Sequence, residues 1–204
     1  MKITGIKTNI FSSRHSNAKR NWLIVRIQTD EGLEGIGESS MLSVDPIVNS
    51  LIQDWSENYL VGKDPLAGQV HWTRLHQDNL GRGGRLFSTV LSGIDIALWD
   101  LRGKILGVPV NQLQGGPLRD KLRVYANGWY TVERTPGSFA LAASKVVSKG
   151  YKALKFDPFG NGDLELSRNE LFKSIEIIEA VSDAITEDMQ MMIEMHGRFA
   201  AHQA

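Results

Sequence analysis

Hydrophobic and polar residues alternate through much of the first forty positions, a pattern typical of half-buried β-strands. Residues 2–11 and 21–29 are rich in Ile, Val, Thr and Leu, and residues 33–38 form a shorter alternating segment. Asp-Glu-Gly at residues 30–32 is a turn signal between the second segment and the third. The pattern predicts a three-stranded β-meander.

The segment between the first two predicted strands, residues 12–20, is polar and too long for a tight hairpin. It fits either a solvated surface loop or a lid over a neighbouring site, because catalytic lids use such segments. If it is a lid, we expect Arg14 and His15 to contact a substrate.

Helical patterns follow at residues 46–59, 71–77 and 86–106. The last is the strongest, because its apolar residues recur at the spacing of one helix face. The predicted buried stripe consists of Val90, Ile94, Ala97, Leu98, Leu101 and Ile105. Gly107 followed by Pro109 predicts the end of this helix.

After the glycine-rich segment 115–117, strand and helix patterns alternate, so we predict two domains, residues 1–116 and 117–204. The predicted strands are residues 121–126, 152–156 and 190–195, and the predicted helices are residues 138–149 and a segment opened by a capping box at 167–170. The inward face of that second helix is predicted to carry Leu171, Ile175, Ile178 and Ile185. Parallel strands joined by helices open either a (β/α)₈ barrel or a doubly wound sheet.

Charge and composition exclude several classes of partner and site. Lys plus Arg equals Asp plus Glu at 23 each, which argues against nucleic-acid or anionic-membrane partners. The sequence has no cysteine, so disulfides and thiolate metal sites are excluded. Because there is no apolar signal segment and no run of about 20 apolar residues, we expect a cytoplasmic protein.

Two pairs of ionisable residues mark the ends of predicted strands: Lys155 with Asp157, and Glu194 with His196. Residues two apart in a strand point to the same face, and the carboxyl ends of parallel strands are where such folds place their chemistry. The alternative is a structural ion pair between Lys155 and Asp157. The sequence reaches Ala204 eight residues after His196, so we expect residues absent from this chain to complete the site.

Residues 92–104, SGIDIALWDLRGK, and residues 107–113, GVPVNQL, resemble the signature of the mandelate racemase/muconate lactonizing branch of the enolase superfamily. The resemblance extends along the chain, but over only the first half of a family member. It implies an α+β capping domain, made of the meander and helices, followed by the first two to three β/α units of an incomplete (β/α) barrel.

Residues 194–198, EMHGR, resemble the third-strand motif of the galactonate-like sugar-acid dehydratases of that family. The resemblance implies that Glu194 is a Mg²⁺ ligand and His196 a general acid, although the family more often has Asp at the ligand position. Lys155 matches the first lysine of a Lys-x-Lys motif and would stabilise negative charge on the substrate, whereas Asp157 replaces the second. We expect Asp157 to orient Lys155 or a substrate hydroxyl. Arg198 would bind a substrate oxygen or start the next helix.

The implied reaction is a Mg²⁺-dependent dehydration of a small sugar acid by α-proton abstraction, enediolate formation and β-elimination of water. The general base would come from residues outside this chain, and the full-length protein would be a homo-oligomer. A racemase or cycloisomerase of the same family would share the enediolate but would not need an acid for a leaving hydroxyl. A non-catalytic fragment of such an enzyme is the other alternative.

Overall fold

A computed structural model describes residues 1–12, 21–41, 43–79 and 84–203. The chain forms two compact units, Met1–Leu118 and Arg119–Ala204. The strands are β1 Ile3–Ser12, β2 Asn21–Thr29, β3 Glu34–Glu38, β4 Ala153–Phe156 and β5 Gln190–Ile193. The helices are α1 Asp45–Trp55, which continues into a π-helical turn at Ser56–Leu60, α2 Gly68–Asp78, α3 Arg85–Leu106, α4 Val110–Leu113, α5 Pro136–Ser148 and α6 Arg168–Ala184.

The first unit contains the predicted meander, in which β2 pairs antiparallel with β1 on one side and with β3 on the other. The alternation of β2 places Leu23, Val25 and Ile27 on the buried face, where all three are fully buried. Gly32, at φ +80°, closes the turn before β3. The prediction of the meander is therefore confirmed.

Helix α3 packs its predicted stripe into the core of the first unit. Five of the six predicted positions are buried, and the sixth, Ile105, packs against the core while partly exposed. The helix lies close against β3 because two glycines of that strand, Gly35 and Gly37, leave no Cβ between the strand and the backbone of α3. It ends at Leu106, and Gly107 adopts the left-handed conformation of a helix cap at φ +69°.

The second unit contains a parallel pair, β4 and β5, together with α5 and α6. The predicted strand at residues 121–126 is wrong in extent. In this segment Ala126 alone pairs with the sheet, by donating to Ala153 O at 2.9 Å and accepting from Lys155 N at 2.9 Å. The apolar residues before it are exposed, Leu122 at 79% and Val124 at 66%, so their burial does not stabilise pairing with β4.

Helix α6 begins as predicted, with Ser167 Oγ accepting a hydrogen bond from Glu170 N at 3.3 Å. Its predicted inward face is correct in part: Ile178 and Ile185 pack against the core, whereas Leu171 and Ile175 are exposed. The buried positions are Ser174, Ile177 and Val181. Burial of the polar Ser174 is possible because its hydroxyl donates to Glu170 O at 2.8 Å.

An aromatic group forms much of the core beneath β4. Trp129 and Phe156 have ring centroids 5.4 Å apart, and Phe139 packs against both. The indole N–H of Trp129 donates to Lys155 O at 3.0 Å, which fixes the backbone at the end of β4. Among the described residues, no helix is both long and apolar enough to span a membrane.

Candidate active site

Lys155 and Glu194 lie side by side at the carboxyl ends of β4 and β5. Glu194 N donates to Phe156 O at 2.9 Å, which extends the parallel ladder one residue past β5. Lys155 Nζ lies 2.8 Å from Glu194 Oε2, and both side chains are partly buried. Glu194 and Lys155 therefore lie on the same side of the sheet.

The Lys155–Glu194 pair is charged at neutral pH. The hydrogen bond from Lys155, followed by the one from His196 N, lowers the pKa of Glu194 to about 2. The same contact with Glu194 raises the pKa of Lys155. This part of the site therefore presents an ammonium group that a neighbouring carboxylate holds in place.

Asp157 and His196 form the second pair of the site. Its Oδ2 lies 3.0 Å from His196 Nδ1 and accepts from Arg198 Nη2 at 2.7 Å, while its Oδ1 accepts from Phe159 N at 2.9 Å. Lys155 bonds to Glu194 instead, so the described residues show neither the Lys155–Asp157 ion pair nor a hydrogen bond by which Asp157 would orient Lys155. The two predicted pairs are thus joined crosswise between β4 and β5.

The backbone geometry at His196 differs from the prediction. Strand β5 ends at Ile193, two residues earlier than predicted, and His196 has a left-handed φ of +53°. This turn returns His196 N to Glu194 Oε1 at 3.0 Å. Strand alternation therefore does not bring Glu194 and His196 together. A turn closed on the Glu194 carboxylate does so.

Arg198 does not start a helix. It lies in the segment after the turn, where its Nη1 donates to Gly160 O at 2.9 Å and its Nη2 binds Asp157. Substrate binding by Arg198 stays a prediction. The other two predicted substrate contacts, Arg14 and His15, lie outside the described residues.

Sequence reasoning missed Arg134, which lies just before α5. Its Nε donates to Pro158 O at 2.9 Å, its Nη2 donates to Ser174 Oγ at 3.0 Å, and its Nη1 forms a salt bridge with Glu170. Arg134 is 24 to 40 residues from these partners in sequence. No local sequence pattern identifies Arg134 as a partner of these residues. The capping box at 167–170 assigns Glu170 to the N-terminus of α6 rather than to a salt bridge with Arg134.

The described residues do not form a complete Mg²⁺ site. Mg²⁺ takes about six oxygen ligands at roughly 2.1 Å, and no group of three His, Asp or Glu residues is placed to bind a metal in the part of the chain that the structure describes. Glu194 offers one carboxylate, whose two oxygens already accept from Lys155 and His196. It is at most one ligand of such a site.

Comparison with known protein families shows the family to which this chain belongs. The family described as mandelate racemase/muconate lactonizing enzyme, N-terminal domain, matches residues 4–115, more than half of the chain. The chain belongs to the mandelate racemase/muconate lactonizing enzyme family. Its meander unit fits the capping domain of that family, and its parallel unit fits the start of the barrel.

Curated relatives and solved structures agree with this assignment. The chain is 41% identical to a D-gluconate dehydratase of Thermoproteus tenax over 89% of this chain and 37% of the relative. It is 32% identical to a D-galactonate dehydratase of Variovorax paradoxus over 100% of this chain and 50% of the relative. A member of the enolase superfamily from Salmonella Typhimurium superposes with a TM-score of 0.86 at 29% identity, over 97% of this chain and 55% of that one. The chain thus spans half or less of these curated relatives.

Proposed function

We propose that this chain carries part of the active site of a sugar-acid dehydratase that acts on an acid of the D-gluconate or D-galactonate type. One observation carries the proposal: an ammonium group and an imidazole, each held by its own carboxylate, lie together at the carboxyl ends of adjacent parallel strands. The names of the relatives support the substrate class. Homo-oligomerisation of the full-length protein stays a prediction, and light scattering would test it.

The proposed reaction removes one water molecule from a 2,3-dihydroxy acid. A base takes the proton from C2, and the electron pair moves toward the carboxylate to form an enediolate. The pair then returns to form the C2–C3 double bond as the C3–O bond breaks and the hydroxyl leaves with a proton. The resulting enol tautomerises to a 2-keto-3-deoxy acid.

The residues of this chain suit the later part of that reaction. His196 is the proposed acid, because an imidazolium donates a proton near neutral pH and general acids contribute roughly 10²–10⁴-fold to rate. Lys155 stabilises the negative charge that develops on the substrate carboxylate. Asp157 holds His196, while orientation of a substrate hydroxyl by Asp157 remains part of the proposal.

Mg²⁺ would supply Lewis-acid stabilisation of the enediolate when bound. Glu194 is the proposed ligand from this chain. Because the described residues contain one suitable carboxylate at this position, we propose that the other ligands and the base for the C2 proton belong to the rest of a full-length protein.

The test uses the complete product of the gene that encodes this chain, incubated with Mg²⁺ and D-gluconate or D-galactonate in D₂O. Proton NMR should show a 2-keto-3-deoxy acid. Formation of the C2 epimer without loss of water would instead support a racemase and overturn the dehydratase proposal. Absence of both products and of deuterium exchange at C2 would contradict the shared enediolate chemistry.

A further inference from the structure

Two arginines hold the turn that follows β4, residues 157–160, from two different elements. Arg134 binds Pro158 O from the segment just before α5, and it is itself held by Glu170 and the fully buried Ser174 of α6. Arg198, which follows β5, binds Gly160 O. The turn is therefore attached to the segment before α5, through Arg134 to α6, and to the segment after β5.

Gly160 is part of this arrangement. Its φ of +59° is left-handed, and a Cβ there would lie 3.0 Å from Cδ and Nε of Arg134. The Arg134 side chain therefore lies directly against the turn. A bulkier residue at position 160 would push the guanidinium away from Pro158 O.

This turn positions Asp157, whose carboxylate selects which ring nitrogen of His196 carries the proton. An ionised carboxylate accepts hydrogen bonds and cannot donate them. Asp157 Oδ2 accepts from Arg198 Nη2 at 2.7 Å, so this oxygen is an acceptor in the arrangement. With His196 Nδ1 3.0 Å from the same oxygen, that nitrogen must carry the proton. The proton that His196 transfers is then carried by Nε2.

We infer that Arg134 is a positioning residue for His196, acting through the 157–160 turn and Asp157 to fix the Nδ1–H tautomer. The structural part stands on the contacts of Arg134, Asp157 and His196 alone. The consequence for catalysis rests on the proposed function, in which His196 is the acid.

The same chain provides an internal reference with the opposite tautomer. His71 Nε2 lies 2.8 Å from Asp64 O, a carbonyl that can only accept, so His71 must carry its proton on Nε2. His71 and its partner Asp64 both belong to the first unit, whereas Arg134 and Asp157 belong to the second. Its signals should not change when Arg134 is substituted.

The experiment is ¹H–¹⁵N long-range NMR of the imidazole rings of the 204-residue chain at about pH 9, where free imidazole is neutral. In the wild type, His196 should show a protonated Nδ1 and His71 a protonated Nε2. In Arg134→Gln, the two ¹⁵N shifts of His196 should converge as the fixed tautomer is lost, while those of His71 stay. Lys152→Gln removes an exposed ion pair of the same unit with Asp188 and should change neither ring.

A wild-type His196 with its proton on Nε2 would overturn the inference. So would an Arg134→Gln chain that melts at a lower temperature but keeps the His196 signature, because Arg134 would then be merely structural. If Arg134→Gln does not fold, Glu170→Gln tests the same point: the His196 shifts should move in the same direction, and unchanged shifts would contradict the inference. Failure of the dehydration assay with an intact His196 signature would count against the proposed function alone.

Discussion

The carboxylate of Glu194 accepts two hydrogen bonds from its own chain, and this makes its contribution to stability depend on pH. Its pKa in the folded chain is lowered to about 2. A group with a lowered folded pKa stabilises the fold fully above its unfolded pKa and loses that contribution as pH falls through the folded value. The relevant window therefore runs from about pH 5 down to about pH 2.

We expect Glu194→Gln to lower the melting temperature of the chain at pH 7, and we expect the difference from wild type to shrink as pH falls through that window. Circular dichroism melts at stepped pH measure this. Glu179→Gln, at an exposed position of α6, is the control and should show little difference at any pH. A Glu194→Gln difference that does not change with pH would show that Lys155 contributes nothing through this carboxylate.

His196→Asn tests the role of the acid in the complete protein. Dehydration should fall by roughly 10²–10⁴-fold, while exchange of the C2 proton with solvent deuterium continues, because the acid and the base act on different bonds. Product formation and exchange are both measured by NMR. Loss of both reactions together in a folded variant would mean that His196 is the base or serves both steps.

At the scale of the element, α3 and β3 show how a small residue sets the distance between two backbones. A Cβ at Gly37 would lie 2.8 Å from Ala97 N and closer still to Gly93 O. We therefore expect Gly37→Ala to destabilise the first unit by about 1–3 kcal/mol, the usual cost of overpacking. Urea unfolding followed by tryptophan fluorescence measures it, since four of the five tryptophans, at positions 22, 55, 72 and 99, belong to this unit.

Gly5→Ala is the matched control for that measurement. Gly5 is in β1, has no atom within 4 Å of a Cβ position and does not require a left-handed φ. Its substitution should be neutral or stabilising by roughly 0.4–1 kcal/mol through the unfolded chain. Equal losses of stability in the two variants would mean that glycine flexibility, rather than the close approach of α3, explains the Gly37 result.

The elements that the sequence predicted well are those whose apolar period alone fixes burial, such as β2 and α3. Helix α6 was harder, because its apolar residues cover more than one face and its buried face carries the polar Ser174, which accepts a hydrogen bond from the distant Arg134. Residues 121–126 have strand-like composition, but composition cannot show that the sheet accepts only Ala126.

At the scale of the candidate site, the four residues of the two predicted pairs come together as expected, but their pairing was not predictable. Alternation within a strand describes neighbours along one chain segment, whereas Lys155–Glu194 and Asp157–His196 join different segments 39 residues apart. The left-handed turn at His196 was also hard to predict, because its sequence signal is limited to the glycine that follows it.

At the scale of the whole molecule, one carboxylate with two occupied oxygens should bind Mg²⁺ poorly. We expect calorimetric titration of Mg²⁺ into the 204-residue chain to give a Kd weaker than about 1 mM, that is, less than about 4.1 kcal/mol of binding free energy. Glu194→Gln controls for non-specific binding. Micromolar binding that Glu194→Gln abolishes would mean that this chain alone assembles a metal site.

The crosswise pairing of the two strands also constrains how this sequence can change during evolution. Replacing Lys155 alone leaves the Glu194 carboxylate without its cation, and replacing Asp157 alone leaves Arg198 and His196 without their shared acceptor. Because an unpaired charge in a partly buried site is costly, substitutions that persist should arise in compensating sets. Positions 155 and 194 should therefore covary among descendants of this sequence, as should positions 157, 196 and 198.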